Sequence, residues 1–175
     1  MDQINFGTLR RVLENDLELL LEWRNDDRIR KFMFDQKPIT LEEHVRWFEK
    51  VNTDLSRDLL IFENDINPLG FVQIVYSMEN ALAEWGFYAA PTAPKGVGER
   101  MLSKVLDHIF DIKGSSKVFG QVLGYNAASI RLHQKLGFML EGVLRQHHCA
   151  DSITHDIHQF GMLSSERHRL STLES

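Results

Sequence analysis

An α/β fold, with a central mixed and mostly antiparallel sheet flanked by helices, is what this 175-residue sequence predicts. Three observations carry it. Short runs rich in β-branched and aromatic residues lie between positions 58 and 90, a long amphipathic helical pattern follows from Gly96, and strand-like and helix-like patterns then alternate to Met162.

Thr8 to Leu13 reads as a first strand. Asp16 to Trp23, with Leu17, Leu19, Leu20 and Leu21, reads as a partly buried helix capped by Asn15. WRNDDRIRKFMF mixes charge with large apolar groups and predicts a short helix entering a loop that ends near Pro38. Thr40 and Glu43 have capping-box spacing, and Leu41, His44, Val45, Trp47, Phe48 and Val51 then recur at helical intervals. DLLIFE, LGFVQIVYS and LAEWGFYAA predict an antiparallel meander. In GVGERMLSKVLDHIFDI, a broad helical face carries Met101, Leu102, Val105, Leu106, Ile109, Phe110 and Ile112. A strand at KVFGQVL, a helix from Asn126 to Leu136, and strands near FMLEGVLRQH and SITHDIHQFGM complete the reading.

With 43% hydrophobic residues and neither a repeat nor a linker, the chain is expected to form one domain over residues 1–175. A net charge of -5 argues against broad attachment to nucleic acid or to acidic lipid. The single cysteine excludes an internal disulfide framework, and MDQINFGTLRR lacks the apolar core of a signal peptide, so a reducing cytoplasmic location is expected. Runs such as Leu59 to Phe62 are too short to cross a bilayer.

EWGFYAAP leads into TAPKGVGER, a glycine-containing turn opening a helix. Such a turn presents unpaired N–H groups and the positive end of the helix dipole, which suit a phosphate or pyrophosphate, and Lys95 adds a cation. No Gly-Lys-Ser/Thr follows, and Met101 stands where a dinucleotide fingerprint would have its third glycine. The turn alone is equally a simple strand-to-helix connection. NAASIRLHQKLGF then places Asn126, Ser129 and His133 along one helical face, with Gly137 as the stop.

These two segments together resemble the GNAT acetyltransferase family, whose coenzyme loop reads Arg/Gln-x-x-Gly-x-Gly/Ala and whose later helix reads Asn-x-x-Ala/Ser-x-x-x-Tyr-x-x-x-Gly-Phe. The resemblance extends over the order of elements from Thr8 to Met162. It implies acetyl-CoA as co-substrate, no metal, and direct transfer to an amine in a ternary complex. Lys95, Gly96, Val97, Gly98, Asn126 and Ser129 are implied coenzyme contacts, and the backbone near Phe87 and Tyr88 is the implied acetyl-carbonyl site. Two positions depart from the pattern: Ala93 replaces Arg/Gln, and His133 replaces the tyrosine that protonates the leaving thiolate. An imidazolium at His133 has the acidity for that task, the alternative being a coenzyme contact or an ordinary helical residue. Glu84 is the candidate base, equally readable as an exposed strand carboxylate, and Gln121 borders the same gap without basic chemistry.

A narrower resemblance, in LEWRNDDRIRKFMF and PITLEEHVRWFEKV, is to the branch acetylating UDP-linked amino sugars in pseudaminic acid biosynthesis. The matching positions are Arg24, Asn25, Met33, Phe34, His44 and Trp47. Arg24 and His44 have the chemistry to meet a nucleotide diphosphate or base, and the three apolar residues to wall a deoxysugar methyl. The plainer reading is core packing for Met33, Phe34 and Trp47, and a carboxylate partner for Arg24. The expected partner is a small-molecule amino-sugar nucleotide, with no nucleic acid and no membrane, and a homodimer is allowed. The downstream segment also resembles acetyltransferases of ribosomal protein N-termini, which keeps peptide acetylation as an alternative. A noncatalytic acetyl-CoA-binding module is the alternative of another class. His147, His148, Cys149, His155 and His158 suggest a metal by count, but their spacing along each strand gives no simple same-face pair.

Overall fold

The computed structural model describes residues 7–65, 67–77, 79–150 and 152–167. They belong to two compact units, Met1–Val75 with Phe87–Val105 and Tyr76–Gly86 with Leu106–Ser175. The strands are β1 (Thr8–Arg11), β2 (Arg57–Glu63), β3 (Pro68–Ser77), β4 (Leu82–Ala89), β5 (Lys117–Leu123), β6 (Met139–Ala150) and β7 (Ile153–Leu163), joined in the order β1-β2-β3-β4-β5-β7-β6. The β1–β2, β2–β3, β5–β7 and β6–β7 pairs are antiparallel and β4–β5 is parallel, the mixed α/β architecture read from the sequence.

In the first unit α1 (Leu17–Asn25), α2 (Asp27–Arg30) and α3 (Leu41–Asn52) cover the β2–β3 region. Leu20, Trp23, Ile29, Phe48 and Val51 pack in one core with Leu59, Ile61 and Phe71. Periodicity explains the buried face of α3: His44, Phe48 and Val51 repeat at helical spacing, while Thr40 and Glu43 close the capping box at its start. Asn15 is not the cap of α1. It lies in a 3₁₀ turn, Glu14–Asp16, and Asp16 takes the N-cap position, its carboxylate held by Arg10 and by the Leu13 N–H.

α4 (Val97–Asp107) continues into a π-helical turn, His108–Ile112, closed by the Lys113 N–H on the His108 carbonyl at 3.0 Å. The wider turn rotates the last residue off the apolar face, so Ile112, expected inside, is 73% exposed while Ile109 is buried. α5 (Ala127–Lys135) ends as a Schellman motif. Gly137 sits at φ +89°, its N–H meets the Gln134 carbonyl, and the Phe138 N–H meets the His133 carbonyl, each at 3.0 Å. No helix among the described residues is long and apolar enough to cross a membrane.

Candidate active site

The first unit gathers most of the acceptor-side residues. Asn25, at the end of α1, donates through Nδ2 to the Ile39 carbonyl (2.8 Å) and accepts from the Ile39 N–H (2.9 Å). Both polar atoms of this expected substrate contact are thereby bonded to backbone. Arg24, one residue earlier, donates through Nη2 to the Asp35 carbonyl, so the loop between α2 and α3 is tied to α1 at two points.

His44 is buried by the phase of α3 and stacks on Trp47, with centroids 5.2 Å apart and planes 15° from parallel. Trp47 meets Phe71 edge-on at 6.4 Å, and Phe71 lies against Tyr88 at 5.2 Å. Two nitrogens in this neighbourhood, Arg24 Nη1 and His44 Nε2, are buried and have no hydrogen-bond partner, as does Nε of the nearby Arg30. Burial lowers the pKa of His44, and the positive charge of Arg24 lowers it further. Burial also lowers that of Arg24, with Tyr88 and Asp35 opposing and Arg30 adding. Burial holds the Tyr88 phenol well above its ordinary range, so it stays neutral. An unpartnered buried polar group costs about 1–3 kcal/mol, so a hydrogen-bonding group placed beside either nitrogen would be favoured. Met33 packs against the core beside Trp47, whereas Phe34 is 47% exposed.

The glycine loop belongs to the same unit. Gly96 adopts φ +87°, the conformation that turns the chain into α4, and a Cβ there would meet nothing within 4 Å. Lys95 is exposed. Val97 is buried, and its N–H is directed to the Pro94 carbonyl at 3.3 Å. The Gly98 amide, in the first helical turn, has no intrahelical acceptor. Ala93 packs against the core, which is where the departure from Arg/Gln finds its use.

In the second unit Asn126 caps α5, its side chain accepting from the Ser129 N–H at 3.1 Å. The three-residue spacing that suggested coenzyme contacts is thus also a capping signature. His133 is 1% exposed. Its Nδ1 lies 2.8 Å from the Ser129 carbonyl, and its Nε2 accepts from the Trp85 indole N–H at 3.3 Å. Phe160 stacks on the ring at 5.0 Å and Phe138 meets it edge-on at 5.1 Å. Burial lowers its pKa, the Ser129 carbonyl opposing. Accepting from the Trp85 N–H requires a lone pair on Nε2, which fits a neutral ring with its proton on Nδ1, since a proton on Nε2 would face another donor.

The β4–β5 ladder runs from Leu82↔Lys117 to Glu84↔Phe119, and both strands continue beyond it. Trp85 is the next residue after that last pair. Its indole lies where a side chain on Gly120 would be, a Cβ there falling 2.6 Å from Trp85 Cδ1. Trp85, with Gly120 opposite, escaped the sequence reading, although a tryptophan on a buried strand register facing a glycine is the available signal. Glu84 and Gln121 are exposed on β4 and β5. Among the described residues no group of three or more His, Cys, Asp or Glu converges for a metal, although the β6–β7 register does set His148 opposite His155.

Residues 8–139 match the family model of the acetyltransferase (GNAT) domain. Acetyltransferase PseH of Campylobacter jejuni is 28% identical over 125 residues, covering 71% of this chain and 78% of that protein. The SPbeta prophage-derived uncharacterized N-acetyltransferase YokL of Bacillus subtilis is 30% identical over 165 residues, covering 91% and 90%. Among solved structures, spermidine N-acetyltransferase from Vibrio cholerae in complex with CoA and spermine superposes with a TM-score of 0.87 over 92% of this chain and 97% of that one, at 23% identity. At that identity the likeness is one of fold.

Proposed function

This chain belongs to the GNAT acetyltransferase family and is an acetyl-CoA-dependent N-acetyltransferase, and from that premise we propose that its acceptor is the 4-amino group of a UDP-linked 4-amino-4,6-dideoxy sugar, as in pseudaminic acid biosynthesis. The observation that carries the reading is the pair of buried, unpartnered nitrogens, Arg24 Nη1 and His44 Nε2, beside the rings of Trp47, Phe71 and Tyr88. A guanidinium and a neighbouring imidazole match diphosphate or carbonyl oxygens, and the rings match a sugar face with its methyl group. Similarity to PseH at 28% identity points the same way. A polyamine acceptor is disfavoured by the same cluster, since Arg24 and Arg30 repel a polycation.

The reaction requires a neutral amine. Its nitrogen attacks the thioester carbonyl carbon, the carbon–sulfur bond breaks, CoA leaves as the thiolate, and the nitrogen loses one proton to become an amide. Glu84, exposed on β4, accepts that proton directly or through water. A thiol of pKa about 8.5 is a good enough leaving group to take its own proton from solvent. The Gly98 amide and Lys95 hold the pyrophosphate, and the Asn126 amide nitrogen is the remaining coenzyme contact of α5.

The test is CoA release from acetyl-CoA with the UDP-linked 4-amino sugar, with spermidine, with a ribosomal-protein N-terminal peptide, and without acceptor. Sugar-dependent release at least about tenfold above the other arms, with a singly acetylated product and inhibition by UDP, is expected. Release with spermidine or peptide alone overturns the acceptor and leaves the family assignment standing.

A further inference from the structure

His133 is the most completely enclosed polar side chain in the second unit, and its surroundings are arranged around one hydrogen bond. Trp85, 5% exposed, donates its indole N–H to Nε2, while the opposite nitrogen is anchored on the first turn of α5 at the Ser129 carbonyl. The indole meets His133 edge-on at 5.7 Å and stacks on Phe138 at 4.9 Å. Phe138 is itself fixed by the Schellman turn that ends α5. Gly120 completes the enclosure by having no side chain where the indole lies. The indole therefore lies over Gly120, one residue beyond the last β4–β5 pair, Glu84↔Phe119.

We propose that His133 is a positioning residue: as a neutral imidazole it accepts the Trp85 N–H and holds the indole as a wedge over Gly120, which fixes β4 against β5 next to the candidate base Glu84. Glu84, the residue before Trp85 on the same strand, is thereby held in place. Acid catalysis needs a proton on the ring that faces solvent or thiolate, whereas the wedge needs a lone pair that faces Trp85. The two roles demand opposite protonation states. The inference rests on the acetyltransferase activity of the family and not on the identity of the acceptor.

Two of the decisive measurements therefore need no acceptor. In protein with ¹⁵N-labelled histidine and tryptophan, His133 is expected to show the Nδ1–H tautomer at neutral pH, and the Trp85 indole proton to exchange slowly. His133→Gln, which offers an acceptor oxygen but no acid, is expected to keep the slow exchange and to stay within about tenfold of native turnover. His133→Phe, which strands the indole N–H, is expected to lose about tenfold to a hundredfold in exchange protection and in kcat, with acetyl-CoA affinity by calorimetry changed far less. Adding Trp85→Phe to His133→Phe removes the stranded donor and is expected to restore part of the loss. An imidazolium at neutral pH, or a His133→Gln enzyme as inactive as His133→Phe while binding acetyl-CoA normally, overturns the proposal. If His133→Phe fails to fold, the tautomer and the glutamine variant still decide.

Discussion

Asn25 and Ile39 exchange two hydrogen bonds, side-chain amide to backbone, at 2.8 and 2.9 Å, so that an asparagine does for a loop what a neighbouring strand does for a sheet edge. The pair seats the loop between α2 and α3 at the end of α1, beside Arg24. Asn25→Ala leaves the Ile39 N–H and carbonyl without these partners and is expected to cost about 1–3 kcal/mol. For a chain of this size each kcal/mol lowers the melting midpoint by about 2–4 °C, readable by calorimetry. The acceptor KM is expected to rise while that for acetyl-CoA holds, because the loop adjoins Arg24 and not the glycine turn. An equal rise in both would place Asn25 in the general stability of the unit.

Arg24→Met separates binding from folding. The guanidinium is partly desolvated and its Nη1 has no bond within the protein, while its Nη2 bonds the Asp35 carbonyl, so replacement by an apolar chain is expected to lower stability by only about 1 kcal/mol. The acceptor should suffer instead. Hydrogen bonds to charged groups are worth about 1.5–3 kcal/mol, so inhibition by UDP is expected to weaken by about tenfold to a hundredfold. A large loss of stability with unchanged UDP inhibition would make Arg24 a strut for the loop at Asp35.

What the sequence reveals and what it hides divide along a physical line. Local signals are faithful: the Thr40–Glu43 box opens α3, Gly137 ends α5, and each β-rich run becomes a strand, because capping, φ preference and alternation act within a few residues. Side-chain commitments made over distance are not legible. Asn25 reads as a substrate contact and is bonded to Ile39, fourteen residues on. His133 reads as a titratable acid, but burial lowers its pKa and the indole of Trp85, forty-eight residues earlier, donates to it. Arg24 and His44 stood in the sequence as plausible ligands, but only the fold brings their charges into interaction and leaves Nη1 and Nε2 unpartnered.

The two buried histidines set a pH dependence of stability. Burial lowers the pKa of both His44 and His133 below the ordinary 6.5, with the charge of Arg24 adding at His44. Below pH 6.5 the unfolded chain therefore takes up protons that the folded chain refuses, and stability falls as pH drops toward the folded-state values, while above that window it is flat with respect to these groups. Melting midpoints followed from about pH 7.5 down to about pH 5 are expected to decline, and His44→Gln or His133→Gln to make the decline shallower. A variant that steepens the decline would mean that its histidine is protonated in the fold.

Gly120→Ala tests the wedge from the opposite side while leaving both hydrogen-bonded residues in the sequence. A methyl at this position would lie 2.6 Å from Trp85 Cδ1, 2.7 Å from its Nε1 and 3.3 Å from its backbone carbonyl oxygen. The indole is enclosed by His133 and Phe138 and cannot swing aside as the end of a flexible chain would, so either the ring or β4 must shift. Overpacking of this kind costs about 1–3 kcal/mol, and a lower melting midpoint is the first expected outcome. The second is a fall in kcat with acetyl-CoA affinity largely kept, because the glycine turn and Lys95 are remote in sequence from the displaced ring and bind by their own amides and charge. Trp85→Phe, a smaller ring with no N–H to place, is expected to relieve the strain in the Gly120→Ala background while lowering stability in the native one. Such opposite signs in the two backgrounds, read by thermal melts of the four proteins, would locate the strain between these two residues, whereas additive losses would place it elsewhere along β5.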